Sequence, residues 1–192
     1  PGAVNTLRGS IAGRGLRWRP GARRTTRGAL RPGRTLGASV ACRWGGEILA
    51  GRRGPDGPGA RASRRYGVGG ARREAADGFP TVYAIGLPAL RRARHDLPGD
   101  PEAARVAACF ALVAALDDTN LLHRGGQDGL DFARATARAF VARGGVRARD
   151  WRLRAAAAHR AFVARRLSPG GAADLLAMSV FVDALEAEGH AR

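Results

Sequence analysis

The second half of the chain carries apolar residues at the spacing of amphipathic helices. Val106, Phe110 and Val113 follow one another at intervals of three or four residues, the spacing that places them on one buried face of a helix. Residues 100–102, Asp-Pro-Glu, come before this stripe. They supply an N-cap, a proline at the first helical position and an acid in the first turn. The pattern therefore predicts a helix that begins at this run and buries the stripe.

The same period recurs in three later segments. Residues 130–143 stop at a glycine pair, Asp150 caps the next segment, and residues 168–189 open with Ser-Pro and stop at glycine. The residues expected to face inward on these helices are Leu130, Ala133, Ala137, Phe140, Val141, Trp151, Ala155, Ala158, Phe162, Val163, Leu175, Met178, Val182 and Leu185. A short basic helix is expected over residues 87–94, and β patterns are nearly absent after residue 85. The predicted fold class is all-α, a multi-helix bundle of antiparallel neighbours.

The N-terminal part has no such regularity. Residues 1–35 are rich in Arg, Gly and Pro and follow neither a helical nor a strand period. One short helix is predicted over residues 36–49, where three apolar residues fall in steps of four. The sequence therefore predicts two parts. Residues 1–59 form an irregular, partly disordered part, and residues 60–192 form an all-helical domain of catalytic type.

Most of the positive charge lies in the irregular part. The chain has a formal net charge of +17, and its 33 basic residues are all arginine. Residues 1–75 hold 17 arginines against three acids, whereas residues 76–192 hold 16 arginines against 13 acids. An arginine-rich N-terminal segment of this kind is typical of a solvated tail, or of a segment that binds nucleic acid or phosphate through salt-sensitive arginine contacts.

Cysteine use and hydropathy favour a cytoplasmic protein. Cys42 and Cys109 show no metal-binding or redox spacing, so buried reduced thiols are expected. No apolar run reaches membrane-spanning length, and no charged and apolar leader is recognised. The oligomeric state cannot be predicted from these features.

A polar run interrupts the helix that begins near residue 100. Residues 117–126 have the sequence DDTNLLHRGG, and Asp117 falls one helical step after Val113. A carboxylate in an apolar face needs a cation or an ion-pair partner. An ion pair with Arg124 or with an arginine of a neighbouring helix is expected as readily as a divalent metal shared by Asp117 and Asp118.

The rest of the polar run is expected to end that helix. His123 and Arg124 would oppose the negative end of the helix dipole, and Gly125 would adopt the left-handed cap. A capping role is the commoner one for such a histidine. The alternative is that His123 acts as a general acid or donates a hydrogen bond to phosphate.

Two glycine-containing turns are candidate anion sites. Residues 168–171, Ser-Pro-Gly-Gly, open a helix with Ser168 as N-cap and Pro169 at the first helical position, which leaves backbone N–H groups for an anion. Asp174, one turn later, either ligates a metal or favours the dipole. Residues 61–76 join a glycine turn to basic flanks. Together these features indicate a phosphorylated substrate with Mg²⁺.

These motifs resemble the triphosphoribosyl-dephospho-CoA synthase family, which makes the prosthetic-group precursor of citrate lyase and malonate decarboxylase. Residues 117–126 and 168–177 are similar to its two most recognisable C-terminal blocks. Pieces of a middle block lie between residues 66 and 80, and residues 4–9 resemble a further block. The resemblance is dense from about residue 60 to 185 and thin before it.

The resemblance implies an all-α pentosyltransferase with ATP and dephospho-CoA as its partners. ATP would lose adenine, and its triphosphoribosyl group would pass to a hydroxyl of dephospho-CoA. Positive charge develops on the ribose in such a transfer, so carboxylates help, while the triphosphate needs cations and N–H groups. The candidate catalytic residues are Asp117, Asp118, Asn120 and His123. The candidate phosphate-binding residues are Arg124, Gly125, Gly126, Ser168, Gly170, Gly171, Asn5, Arg8 and Arg72. The candidate Mg²⁺ ligands are Asp117, Asp118 and Asp174.

Three departures from the family pattern support an alternative. Leu7 stands where the family has histidine, and residues 13–35 look out of frame where the family has an apolar helix. A glycine- and lysine-bearing N-terminal motif of the family is not found in the chain, which begins at Pro1. The alternative is a truncated, inactive family member, or an arginine-rich helical protein that binds nucleic acid through residues 8–73.

Overall fold

Every regular element in the described part of the chain is a helix. The structure is a computed structural model that describes residues 36–50 and 57–190. In chain order the elements are α1 (Leu36–Ala50), α2 (Pro58–Tyr66), α3 (Gly70–Ala76), a π-helical turn (Val82–Gly86), α4 (Leu87–Asp96), α5 (Pro101–Ala115), α6 (Thr119–Ala142), a 3₁₀ turn (Gly145–Arg147), α7 (Trp151–Ala164) and α8 (Gly170–His190). The predicted all-α class is confirmed.

The chain divides into two units. Among the described residues, the smaller unit holds residues 36–50 and 71–80, and the larger holds residues 57–70 and 81–190. In the smaller unit, α1 contacts the C-terminal end of α3, since a Cβ placed on Gly45 would lie 2.7 Å from the carbonyl oxygen of Ala76. The helix predicted over residues 36–49 is confirmed. The division predicted at residue 59 stays a prediction, because much of the N-terminal part lies outside the described residues.

The larger unit is built around α5. This helix packs against α4, α6 and α8, and the side chains between them are mostly alanine and leucine, as an aromatic-poor sequence requires. One buried cluster of this unit consists of Leu90, Ala93, Ala103, Ala104, Ala108, Phe140, Val146 and Trp151. Phe110 stacks on Phe140 with 3.9 Å between ring centroids. Small alanine side chains let the helices approach closely around these few aromatic rings.

The start of α5 agrees with the sequence prediction. The Asp100 side chain accepts a hydrogen bond from the Ala103 amide at 2.9 Å, and proline occupies the first turn. Two inward assignments on later helices are wrong, because Val141 is 51% exposed and Val163 is 60% exposed. Each follows a buried phenylalanine, and consecutive residues of a helix point about 100° apart. One member of each pair must therefore face outward.

A group of ion pairs fixes α8 against α4. The carboxylate of Asp183, which is buried, accepts from Arg91 Nε at 2.7 Å and also from Arg94. Arg91 reaches Glu186 as well, at 2.7 Å. The hydrogen bonds to these two acids hold the pKa of Arg91 above its ordinary value, against the opposing effect of burial. The paired guanidinium groups allow Asp183 to be buried as an anion.

The lengths of the helices bear on membrane insertion. A membrane-spanning helix needs roughly 20 predominantly apolar residues. No single helix in residues 36–50 or 57–190 is long and apolar enough. Among the described helices, α5 and α6 taken together are long and apolar enough, but they are bent by 60° at the break between them.

Candidate active site

The polar run at residues 117–126 starts a helix and does not end one. Helix α5 stops at Ala115, and Leu116 adopts extended backbone angles with ψ at 140°. Asp118 is also extended, and it is the N-cap of α6, which begins at Thr119. The prediction that this run closes the preceding helix is therefore wrong. The helical period ends at Leu116, so residues beyond it no longer share a face with Val113.

Asp117 lies outside the core. Its side chain is 57% exposed, and its Oδ1 atom accepts from Arg134 Nη2 at 2.8 Å. The same Arg134 nitrogen donates to the carbonyl oxygen of Ala115 at 3.0 Å. The prediction of a buried carboxylate at Asp117 is wrong, and the alternative of an ion pair with an arginine of a neighbouring helix is confirmed. Arg134 thereby caps the C-terminal end of α5.

The buried acid of this motif is Asp118, which is 1% exposed. Its Oδ1 atom accepts from the backbone amides of Asn120 at 2.8 Å and Leu121 at 3.4 Å. Its Oδ2 atom accepts from the amide of Ala172 at 2.9 Å, and Gly171 supplies a further backbone N–H. One carboxylate thus caps the N-termini of both α6 and α8. The two sequence blocks at residues 117–126 and 168–177 meet at this side chain.

The electrostatic environment of Asp118 contains opposing effects. Burial raises the pKa of its carboxyl group, and the N–H donors of Ala172, Asn120, Gly171 and Leu121 oppose this, with a net rise. At Gly171 and Ala172, the N–H groups expected to be available to an external anion donate to Asp118. Both helix dipoles have their positive ends at this carboxylate. The anion at the start of α8 is therefore a side chain of the protein itself.

The start of α8 is displaced from its predicted position. The helix begins at Gly170, so Pro169 precedes the first helical residue and Ser168 lies one position further out. The carbonyl oxygen of Ser168 accepts from the Gly170 amide at 2.9 Å. The predicted roles of Ser168 as N-cap and of Pro169 as first helical residue are wrong by about one residue, a common uncertainty at helix ends.

The two glycines at the start of α8 allow it to approach α6 closely. A Cβ on Gly170 would lie 2.4 Å from Asn120 Nδ2, and a Cβ on Gly171 would lie 3.1 Å from Asp118 Cγ. Any larger residue at these positions would separate the carboxylate from its amide donors. The glycine pair is thus explained by close packing against Asp118 and Asn120.

The glycines of the first motif have a different role. Gly126, with φ at 62° and ψ at −159°, breaks α6 after its second turn, whereas Gly125 is not among the residues with positive φ. The prediction of a left-handed cap at Gly125 is therefore wrong. A Cβ on Gly125 or Gly129 would lie within 3 Å of the Leu167 side chain, at 2.6 and 2.9 Å. The buried Leu167 packs into the space that these two glycines leave.

An open groove of about 530 Å³ lies beside this junction. Residues from α2 and α6 line it, and they are Arg61, Ala62, Arg64, Arg65, Tyr66, Leu122 and His123. None of these residues is acidic. The guanidinium of Arg65 lies 5.4 Å from the centroid of the Tyr66 ring. His123, which is exposed, brings the first motif to a surface that is otherwise formed by the basic flank of the glycine turn at residues 61–76.

The groove arginines are not among the site residues predicted from the sequence. Only the general basic character of residues 61–76 indicated them, because the chain offers 33 arginines and no motif distinguishes these three. Arg124, which was selected, is exposed and is not among the lining residues. Asn120 is half-buried beside Gly170. The structure therefore brings His123 to the groove and leaves Asn120 and Asp118 at the helix junction.

The three acids predicted to hold Mg²⁺ do not form one cluster. In the described ranges, no group of three His, Cys, Asp or Glu side chains is arranged to hold a metal ion. Both oxygens of Asp118 accept backbone N–H groups, and Asp117 is paired with Arg134. Asp174 is half-buried on α8. As placed, these carboxylates do not fit a Mg²⁺ ion held by the protein alone, and the use of Mg²⁺ stays a prediction.

Three candidate phosphate-binding residues cannot be located. Asn5 and Arg8 lie outside the described residues, and so does the side chain of Arg72. The N-terminal block at residues 4–9 and most of the arginine-rich arm are outside them as well. The roles assigned to these residues stay predictions.

The chain is similar to known proteins over most of its length. A family model described as ATP:dephospho-CoA triphosphoribosyl transferase matches residues 32–192. The chain is 44% identical over 188 residues to a probable 2-(5''-triphosphoribosyl)-3'-dephosphocoenzyme-A synthase of Pseudomonas aeruginosa (strain UCBPP-PA14), covering 96% of this chain and 61% of that protein. Proteins of the same name from Stutzerimonas stutzeri (strain A1501) and Azotobacter vinelandii (strain DJ) are each 41% identical, over 95% and 96% of this chain and 61% and 62% of theirs. No solved structure matches the chain.

The fold and the site define an all-helical domain in which one buried acid joins two helix starts beside an arginine-lined groove. The chain belongs to the ATP:dephospho-CoA triphosphoribosyl transferase family. It spans about 61% of the length of the curated relatives it matches. The alignments cover nearly the whole chain, so the similarity extends well before residue 60, where the recognised motifs are sparse.

Proposed function

We propose that the protein transfers the triphosphoribosyl group of ATP to a hydroxyl of 3'-dephospho-CoA and releases adenine. The product would be the prosthetic-group precursor of malonate decarboxylase or citrate lyase, made in the cytoplasm. Family membership supports the reaction class. The observation that carries the proposal for this chain is the double cap at Asp118, which joins both family blocks next to a groove lined by His123 and three arginines.

The proposed reaction exchanges one bond at the ribose for another. The bond between C1′ and N9 of ATP breaks, and its electron pair leaves with adenine. The acceptor hydroxyl oxygen forms the new bond to C1′, and the proton of that hydroxyl ends on adenine. A side chain that accepts and returns a proton near neutral pH assists both parts of this exchange. Histidine is the residue that most often serves as a general acid–base, and His123 lies in the groove wall.

The two aspartates have different proposed roles. Asp118 positions the site, since its carboxylate holds the amide of Asn120 and the start of α8 in place. His123 follows within the same short helical segment, before the break at Gly126. Asp117, exposed and paired with Arg134, stabilises the turn between α5 and α6. Neither carboxylate is proposed to contact the reacting ribose.

Mg²⁺ is proposed to enter with the substrate. In nucleotide-dependent enzymes this ion is commonly bound by substrate phosphates together with one or two carboxylates, and it retains several waters. It would neutralise part of the triphosphate charge. The residues of this chain then need only hold the phosphate groups and orient the ribose.

Adenine release tests the proposed function. The purified chain is incubated with ATP, Mg²⁺ and dephospho-CoA, and adenine and the CoA product are quantified by chromatography with mass detection. We expect equal amounts of both. His123→Asn should lower the rate about 10²- to 10⁴-fold, the usual contribution of a general acid–base.

His159→Asn is the matched control, since His159 is an exposed histidine of α7 outside the groove, and its rate should be unchanged. A folded chain that releases no adenine would contradict the proposed function. A His123→Asn variant with full activity would contradict the role given to that histidine.

A further inference from the structure

His123 stands on a short helical piece at the start of α6. Residues 119–125 form about two helical turns, between the cap at Asp118 and the break at Gly126. A piece of this length has little stability of its own, because isolated helices shorter than about 12 residues are marginal in water. The direction of the His123 side chain therefore depends on the contacts that the rest of the molecule makes with this piece.

At its start, this piece is enclosed by α2 and by the glycine turn that follows α2. A Cβ on Gly59 would lie 3.5 Å from Thr119 Oγ1, and a Cβ on Gly70 would lie 3.3 Å from Thr119 Cγ2. Ala62 of α2 is buried, and α2 packs on α6. The two glycines therefore let the backbone on both sides of α2 close over the first residue of α6.

At its end, the same piece meets Tyr66, the last residue of α2. Gly126 has φ at 62° and ψ at −159°, backbone angles that are essentially open to glycine alone. A Cβ on Gly126 would lie 3.4 Å from the Tyr66 hydroxyl oxygen, so the hydroxyl lies against the break itself. Directly after the tyrosine, the left-handed Gly67 ends α2 and donates its amide to the carbonyl oxygen of Ser63. Both sides of this contact are thus fixed by glycine backbone geometry.

Tyr66 and His123 belong to the same groove. Both side chains line it, and Gly126 follows His123 by three residues, which places the tyrosine contact about one helical turn from the imidazole. The Arg65 guanidinium lies 5.4 Å from the centroid of the Tyr66 ring, so a cation–π contact restrains the ring. Movement of this ring would therefore shift the break in α6, the turn that ends there and the imidazole on that turn.

We propose that Tyr66 is a positioning residue for the transfer reaction, which holds the turn carrying His123 in place through its contact with Gly126. The inference rests on the proposed function, because that function assigns proton transfer to His123. Displacement of a catalytic group by about 1 Å lowers a rate by about 10²-fold. Tyr66 therefore acts on turnover more than on substrate affinity, and it acts only while His123 is present.

The kinetics of two Tyr66 variants test this role. Adenine release is measured over a range of ATP concentrations for Tyr66→Phe, which keeps the ring, and for Tyr66→Leu, which removes the ring and the hydroxyl. We expect kcat to fall about 3- to 10-fold in the first and about 10- to 100-fold in the second, while KM changes less than about threefold. A loss confined to KM would overturn the positioning role, since it would indicate a direct contact with substrate.

The matched control is Tyr83→Phe, because Tyr83 lies in the π-helical turn outside the groove. Its kcat should change less than about twofold. Melting temperatures of all the variants establish that each is folded at the temperature of the assay. A Tyr83→Phe variant that loses as much turnover as Tyr66→Phe would overturn the inference.

A double-mutant cycle separates positioning from an independent effect. The His123→Asn variant has no imidazole to position, so adding Tyr66→Leu should lower kcat less than about threefold further. If Tyr66→Leu lowers kcat by the same factor with and without His123, the tyrosine acts independently of the histidine. That result would overturn the inference.

Nuclear magnetic resonance tests the same contact without turnover. The chain has four histidines, so each imidazole signal can be assigned by substitution. Tyr66→Phe keeps the aromatic ring, and a changed His123 signal in this variant therefore reports movement of the imidazole. We expect the His123 signal to shift or broaden and the His159 signal to stay unchanged. An unchanged His123 signal would overturn the positioning role, whereas a changed signal in a chain that releases no adenine would support the contact and contradict the proposed function.

Discussion

At the scale of single residues, two adjacent aspartates of one motif occupy opposite environments. Asp117 is exposed and paired with Arg134, whereas Asp118 is buried and accepts backbone N–H groups from two helices. The break in the helix at Leu116 produces this difference, because it turns Asp118 towards the start of α8. Side chains with the same chemistry should therefore differ widely in their contribution to stability.

Alanine substitution at these two positions should separate the contributions. Asp118→Ala removes the acceptor for two helix N-termini, so the free energy of unfolding should fall by about 2–4 kcal/mol, twice the usual cost of one lost N-cap. Asp117→Ala removes an exposed ion pair and should cost less than about 1 kcal/mol. Chemical denaturation followed by circular dichroism measures both. Similar losses at the two positions would contradict the double cap.

The glycine pair gives a second residue-scale prediction. Gly170→Ala places a methyl group 2.4 Å from Asn120 Nδ2, so the Asn120 side chain and the start of α8 must shift. The expected loss is about 1–3 kcal/mol, as for other overpacked sites. Gly46→Ala is the control, because a Cβ at that helical position meets nothing within 4 Å. The Gly46→Ala substitution should leave the stability unchanged or raise it slightly. Melting temperatures of both variants measure the difference between the two sites.

At the scale of elements, helices with clear cap residues could be predicted and their junctions could not. The start of α5 followed from its Asp-Pro-Glu run, since a capping acid and a proline act locally. The end of α5 was missed because no glycine or proline marks it, and Asp117 continued the apolar period by coincidence. A signal was present in Asp118-Thr119-Asn120, which contains residues favoured at N-caps. The groove arginines could not be selected, because which exposed side chains share a surface depends on how α2 packs on α6.

The loop before α8 is held by Leu167, which fits between the glycines of α6. Leu167→Ala should lower the free energy of unfolding by about 2–5 kcal/mol, since the cavity left at Gly125 and Gly129 cannot be refilled by small neighbours. Leu153→Ala is the matched control. Leu153 is 73% exposed on α7, so its loss should cost no more than about 0.5 kcal/mol. A Leu167 variant as stable as its control would mean that this loop is not anchored through the glycines.

The cap of α5 should make stability depend on pH. The hydrogen bond from the Ala103 amide, helped by Arg152, lowers the pKa of Asp100 below its ordinary value of 3.8. The stabilisation from this carboxylate is therefore complete above about pH 5 and is lost as the pH falls through the lowered pKa. Melting temperatures of the parent chain and of Asp100→Asn should differ most near pH 5 and converge near pH 2. A difference in melting temperature that grows as the pH falls would contradict the stabilising role given to the ionised Asp100 carboxylate.

At the scale of the whole molecule, the positive charge is only partly neutralised by internal ion pairs. In the described part of the chain, Arg152 pairs with Asp100 and Glu102, Arg91 with Asp183 and Glu186, and Arg134 with Asp117. The 33 arginines nevertheless outnumber the 16 acids by 17, so the chain as a whole stays strongly positive. A chain of this kind attracts any polyanion at low salt, so affinity for RNA alone does not distinguish a nucleic-acid-binding protein from a transferase.

Salt dependence distinguishes the two functions. Binding of a single-stranded RNA of about 20 nucleotides releases condensed counterions, so six to ten phosphate contacts should weaken it about 10²- to 10⁴-fold between about 50 and 200 mM salt. Triphosphate is a small ligand with no condensed counterion layer, so its affinity should fall only about tenfold over the same range. Fluorescence anisotropy with labelled RNA and calorimetry with triphosphate measure the two slopes on the same preparation. RNA binding that stays tight and sequence-selective at about 200 mM salt, together with triphosphate binding that disappears, would favour the nucleic-acid function over the transfer reaction.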